Sequence, residues 1–212
     1  MEGKASLGSM NIEWLGHASF RFTASGKTVY TDPMKVSGQK ADLILVTHDH
    51  FDHCDPESVK SISGKETVII APEAASVRLK GLGRVMAIRP GESFDAVGVR
   101  GKAVHAYNTN KKFHPKGVGV GYVFTIDGKT IYQAGDTDEI PEMKELGHID
   151  VALVPVGGTY TMTADEAANA INTMIKPGLS IPMHWGSIVG NKADAERFRD
   201  AVSGEVEILP RI

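Results

Sequence analysis

Ala41-Asp42-Leu43-Ile44-Leu45-Val46-Thr47-His48-Asp49-His50-Phe51-Asp52-His53 is an apolar run that ends in a cluster of metal-ligand side chains. Residues 41–46, apolar with one early acid, read as a strand buried on both faces. His48, His50, Asp52 and His53 then fall within six residues. Side chains alternate along an extended chain, so His48, His50 and Asp52 project to one side. His53 breaks that period and can reach a second centre, which suits two metals better than one. Imidazole and carboxylate are ligands for zinc, manganese or iron. The competing reading is a polar loop that is histidine-rich by chance. So many ligand-type residues closing one apolar strand are costly without a metal.

Working outward, residues 11–15, 18–23 and 27–31 read as strands, with a turn at Ala24-Ser25-Gly26. Pro56 opens a short helix. Residues 67–71 read as a strand and 73–80 as a helix that stops at Gly81. Strands are expected at 84–88, 96–106, 118–126 and 129–134, the last two joined at Asp127-Gly128. Residues 140–146 read as helical, with Asp138 and Glu139 as N-cap and first-turn acid. Residues 150–155 read as a buried strand. Thr163-Ala164-Asp165-Glu166 is a capping box, and Pro177-Gly178 ends its helix. A strand at 179–183, a helix near 192–202 and a short strand complete the chain.

The halves echo each other. Phe20 to Tyr30 resembles Tyr122 to Tyr132; each stretch runs into an aspartate, Asp32 or Asp136, and a buried strand follows later. That repeated order reads as an internal duplication of a ββ…β unit. Ligand-type residues also end other strands: His105 after 97–104, Asp136 after the second hairpin, His184 after 179–183. With no linker-like stretch between the halves, residues 10–212 read as one domain. Gly8-Ser9-Met10 suggests a tag or disordered leader over residues 1–9.

Composition narrows the class. Of 212 residues 42% are apolar and 23% charged, and the formal net charge is −3 without a like-charge block. That is a globular composition without a phosphate-neutralising basic stripe, so no nucleic-acid partner is expected. No apolar run is long enough for a membrane span. The single cysteine, Cys54, cannot form an internal disulfide, so a cytoplasmic setting is expected. A small-molecule substrate is the expected partner, and self-association into a homo-oligomer stays open.

His48-Asp49-His50-Phe51-Asp52-His53, with Asp32, His105, Asp136 and His184 in that order, resembles the metallo-β-lactamase superfamily. Gly16-His17-Ala18-Ser19, Gly135-Asp136-Thr137-Asp138, Gly157-Gly158-Thr159-Tyr160-Thr161-Met162 and Pro182-Met183-His184 are similar to its branch of small metal-dependent hydrolases, akin to the ascorbate-phosphate lactonases. The resemblance implies an αββα sandwich, two mixed sheets flanked by helices. It implies one metal on His48, His50 and His105, a second on Asp52, His53 and His184, and Asp136 bridging them. Asp32 would hold a ligand from behind. Oxygen-reducing di-iron members carry Glu where this chain has His50, so hydrolysis is implied.

Other residues keep two readings. His17 either faces the site from the first loop and meets substrate, or is a hydrogen-bonded turn histidine. His114 either contacts substrate and protonates a leaving group, or is a loop histidine. Tyr160, in a glycine loop whose N–H groups could meet an anion, either contacts substrate or packs on the core. Lys116 could greet an anion or be solvated. Cys54 reads as buried and inert.

The expected chemistry is attack by a metal-bound hydroxide on a small, anionic ester, a lactone or a phosphodiester, with two divalent ions, zinc first. Asp52, Asp136 and His114 are the expected catalytic residues. The rival is a non-catalytic metal-binding module on the same fold.

Overall fold

The computed structural model describes residues 4–212 and folds them into two mixed sheets. The first runs in chain order: β1 (Lys4–Leu7), β2 (Met10–Gly16), β3 (Ser19–Ala24), β4 (Lys27–Thr31), β5 (Leu43–Leu45), β6 (Val68–Ala71) and β7 (Arg84–Ala87). The second holds β8 (Ser93–Ala96), β9 (Val99–His105), β10 (Val120–Ile126), β11 (Lys129–Gln133), β12 (Val151–Pro155) and β13 (Leu179–Met183). Each sheet changes from antiparallel to parallel pairing at the corresponding place, β4 to β5 and β11 to β12. Phe22 faces Val29 across the first hairpin as Phe124 faces Ile131 across the second. This is the order that the repeated sequence pattern predicts.

Period-two burial explains why the sheets stack. In β5, Leu43 and Leu45 point into the layer between the sheets, where Phe22 and Phe124 meet edge-on at 5.4 Å. Ile44 and Val46 point the other way, onto Val59, Ile62 and Leu79. Val59 and Ile62 belong to α1 (Pro56–Ile62), and Leu79 caps α2 (Glu73–Arg78). A strand apolar on every residue therefore has both faces covered. Tyr122 crosses the middle layer to donate to the carbonyls of Val46 and Ile70, at 2.8 and 3.1 Å. α3 (Ala164–Ala170), opened by the Thr163–Glu166 capping box, and α4 (Lys192–Ala201) cover the second sheet.

Four expectations need correction. Residues 4–7, set aside with the leader, pair with β2 as an edge strand; residues 1–3 of that leader lie outside the described residues. The strand expected at 96–106 starts only at Val99, and Ala96 ends a separate strand, β8, because Val97 and Gly98 take left-handed φ of 50° and 84° and reverse the chain. A β-branched residue rarely occupies that region, so the Val-Gly pair carries little turn signal. The final strand is a single parallel bridge of Val206 to Ser180. The helix expected at 140–146 is a tight 3₁₀ turn, Pro141–Glu145, and Asp138 does not cap it.

Candidate metal centre

The site lies where the two duplicated strand ends meet. The Thr47 backbone N–H donates to Asp32 Oδ1 at 2.7 Å and its hydroxyl to Oδ2 at 2.8 Å, which fixes the exit of β5. The His53 and Cys54 N–H groups both donate to the His50 carbonyl, at 3.0 and 2.8 Å, closing a turn that brings His53 back beneath His48. From the other sheet, Val120 N–H donates to Thr47 O at 2.9 Å. Gly135 arrives with φ of +65°, and a Cβ there would lie 2.8 Å from Val120 O. Only glycine satisfies both demands, and the turn delivers Asp136.

Two ligand groups share this ground. His48 Nε2, His50 Nδ1 and His114 Nε2 converge, with His50 Nδ1 at 3.1 and 3.3 Å from the other two. Asp52, His53 and His184, with His17, form the second group. Asp136 stands between them. Its Oδ2 lies 3.3 Å from His114 Nε2 and 3.1 Å from His184 Nε2, and Oδ1 lies 3.2 Å from His53 Nε2.

His105 is not part of either group among the described residues, which corrects the ligand set implied for the first metal. It lines a separate cavity with Lys102, Tyr132 and Glu142. His114 is the residue that stands with His48 and His50 instead. The chain leaves β9, loops and returns, and Asn108 locks the loop. Asn108 Oδ1 accepts from the His114 N–H at 3.0 Å and lies 3.1 Å from Nδ1. Its amide donates to Asp138 Oδ1 and to Tyr160 O, at 3.1 and 2.9 Å. Asp138 also accepts from the Thr109 N–H and from Lys111 Nζ, so it braces this loop instead of capping a helix. Neither Asn108 nor Asp138 was assigned a site role from sequence. Holding Nδ1 leaves His114 Nε2 facing the cluster, the usual outer support of a ligating imidazole.

Asp32 supports His53 in the same way, its Oδ2 2.8 Å from Nδ1. Asp32→Asn is expected to keep the fold and weaken metal affinity by about 10–100-fold. Zinc titration of the variant would measure this, and unchanged affinity would remove Asp32 from the support of His53.

His17 is fully buried, not part of the open cleft. Its Nε2 lies 2.9 Å from Asp52 Oδ2, its Nδ1 3.3 Å from Ser187 Oγ, and its carbonyl accepts from His184 N–H at 3.0 Å. It therefore positions Asp52 and His184 from behind, and the substrate contact expected of it is corrected. Left-handed backbone at His17, Asp32 and His184, with φ of 55°, 41° and 60°, places three strained residues at one centre.

The electrostatics suit cations. Burial opposes charge on Asp136, but His184 and His53 beside it hold its carboxyl well below the usual range. Burial likewise opposes the charge on Asp52, and the bond to His17 overcomes it. Burial pushes His48, His17 and His114 down, toward the neutral form a metal needs. His53 goes the other way: burial opposes its protonation, yet the Asp136 and Asp32 carboxylates raise it well above the ordinary value. Its Nε2 and His184 Nε2 are buried within 3.2 and 3.1 Å of Asp136 oxygens, yet the bond angles satisfy neither. Buried polar atoms are rarely left so. The donor set and these converging, unsatisfied atoms fit divalent metal.

An open cleft of about 460 Å³ lies over the ligands, bordered by Phe51, Arg78, Phe113, Tyr160 and Ile188. Tyr160 borders this cleft. Lys116 does not: it pairs with Glu142 at 2.7 Å. Cys54 is fully buried, its thiol pushed up to about 11 by burial. Among the described residues, no helix is long and apolar enough to cross a membrane.

Residues 11–184 match the family described as the β-lactamase superfamily domain. A UPF0173 metal-dependent hydrolase of Thermoplasma acidophilum is 36% identical, with 96% of each chain covered. One from Staphylococcus aureus is 32% identical over 94% of this chain and 96% of its own. A solved structure from Parabacteroides distasonis, assigned to the metal-dependent hydrolases, superposes with a TM-score of 0.89 at 31% identity, covering 99% of each chain. A metallo hydrolase of Ignicoccus hospitalis gives 0.77 at 25% identity, over 95% of each. This chain belongs to the metallo-β-lactamase superfamily, in its branch of small metal-dependent hydrolases.

Proposed function

We propose that the protein is a two-metal hydrolase of a small, anionic ester, a lactone or a phosphodiester. The observation that carries this reading is Asp136, one buried carboxylate within 3.3 Å of ligand nitrogens from both groups. His48, His50 and His114 would hold one divalent ion, and Asp52, His53 and His184 the other, with Asp136 shared. Zinc is the first choice for imidazole-rich sites, with manganese and iron next. When bound, such ions supply Lewis acidity toward the substrate oxygen and lower the pKa of water to about 7.

The chain's own residues divide the remaining work. Asp136 and Asp52, held ionised by the imidazoles beside them, supply counter-charge. Asp32, Asn108 and His17 fix the aim of His53, His114 and Asp52. His114, as a ligand, is no longer free to protonate a leaving group. Phe51 and Phe113 border the cleft and offer apolar surface to a substrate.

Zinc-reconstituted protein should turn over at least one member of a panel of lactones and phosphodiesters, with activity lost on chelation and restored by zinc. A fully loaded protein inert to the whole panel would instead favour a non-catalytic metal-binding module.

A further inference from the structure

We propose that the cleft selects a substrate with an apolar or aromatic body and an anionic group apart from the reacting ester, and that Arg78 reads that anion. The inference rests on the hydrolytic reading above and names its substrate class. Three observations support it.

The first is the cation. Arg78 closes α2 and is exposed at the cleft edge. It is the only Lys or Arg among the residues bordering that cleft. One guanidinium nitrogen donates to the Asp49 carbonyl, within the ligand loop itself. Among the described residues no carboxylate pairs with it, so the rest of its donor fork is available. A planar fork of this kind fits a carboxylate or phosphate through two parallel bonds. Lys116, the other candidate, is occupied by Glu142 and lies over the Tyr107 ring.

The second is the rim. Phe51, Phe113 and Ile188 are 68%, 48% and 43% exposed, and all three border the same cleft. Large apolar side chains gathered around an acidic, histidine-rich floor mark a binding surface. They remain in water until an apolar body covers them.

The third is shape. The Phe113 ring stands edge-on to Tyr160 at 4.7 Å, forming one aromatic wall. That wall, the ligand side chains and Arg78 all border one cleft, so a single substrate can meet all three.

The test uses two lactones that share one reacting bond, dihydrocoumarin and its ring carboxylate. In each, water adds to the carbonyl carbon and the C–O bond to the ring oxygen breaks, giving an acid and a phenol. On the zinc-loaded full chain, Arg78→Ala should raise KM for the carboxylate by about 10-fold with kcat little changed. KM for the neutral lactone should stay as in wild type. Arg78→Lys should recover part of the loss, and Phe113→Ala should raise KM for both. Calorimetric binding of the ring-opened carboxylated product is a separate arm that does not depend on turnover. Wild type should bind it about 10-fold more tightly than Arg78→Ala. Equal binding by the two proteins, no binding by wild type, or an equal rise in KM for both lactones overturns the proposal. Turnover of neither lactone together with the expected binding difference would fault the choice of reacting bond and leave Arg78 in place.

Discussion

His114→Ala is expected to lower the metal content of reconstituted protein by one ion per chain, whereas His105→Ala keeps the full content. His114 Nε2 lies 3.3 Å from both His50 Nδ1 and Asp136 Oδ2, and its loss leaves the first ion His48, His50 and a share of Asp136. A carboxylate shared with the second ion does not replace the lost imidazole, so the first ion is held too weakly to stay. Activity should fall by more than the about 10–100-fold typical of an outer support. His105 ends its strand facing a cavity apart from the cluster, so its truncation should be felt only in local packing. Elemental analysis and rates on both variants, with circular dichroism to verify folding, provide the check. The reverse pattern would return His105 to the first metal and set aside the loop geometry described above.

The second large effect concerns Asp136. Asp136→Asn keeps the shape and removes one negative charge among His53, His114 and His184. Two cations held a few ångströms apart repel strongly in a buried site, and a shared carboxylate is what offsets that repulsion. The amide variant should therefore retain at most one tightly bound ion and lose nearly all hydrolysis. Asp32→Asn, by contrast, should retain two, bound more weakly. The two aspartates end equivalent hairpins, yet one faces the ligand nitrogens and the other holds a threonine and a histidine from behind. A variant Asp136→Asn with two tightly bound ions would show that the carboxylate is not shared.

The sequence discloses the fold where burial and turn chemistry agree. Phe20 to Tyr30 and Tyr122 to Tyr132 repeat because each builds a hairpin against the same middle layer, and that repetition locates Asp32 and Asp136 together. The His48–His53 run is legible because so many ligand types follow one apolar strand. The first ligand group was misassigned because His105 satisfies the strand-end rule and His114 does not. His114 reaches the cluster only through a loop, and its placement depends on Asn108 and Asp138, more than twenty residues apart. No local spacing reports that network. His17 keeps two readings in the sequence, and only the fold, which lays Asp52 and His184 over it, selects the hydrogen-bonded one. Arg78 carried no sequence signal at all: a basic residue in a helix's last turn is commonplace, and only its contact with the Asp49 carbonyl sets it at the cleft.

Anomalous diffraction from crystals of the zinc-reconstituted protein would locate the ions and their ligands. Two peaks per chain are expected, one among His48, His50 and His114 and one among Asp52, His53 and His184, with Asp136 touching both. A single peak at saturating zinc, or a first peak ligated by His105, would contradict this assignment.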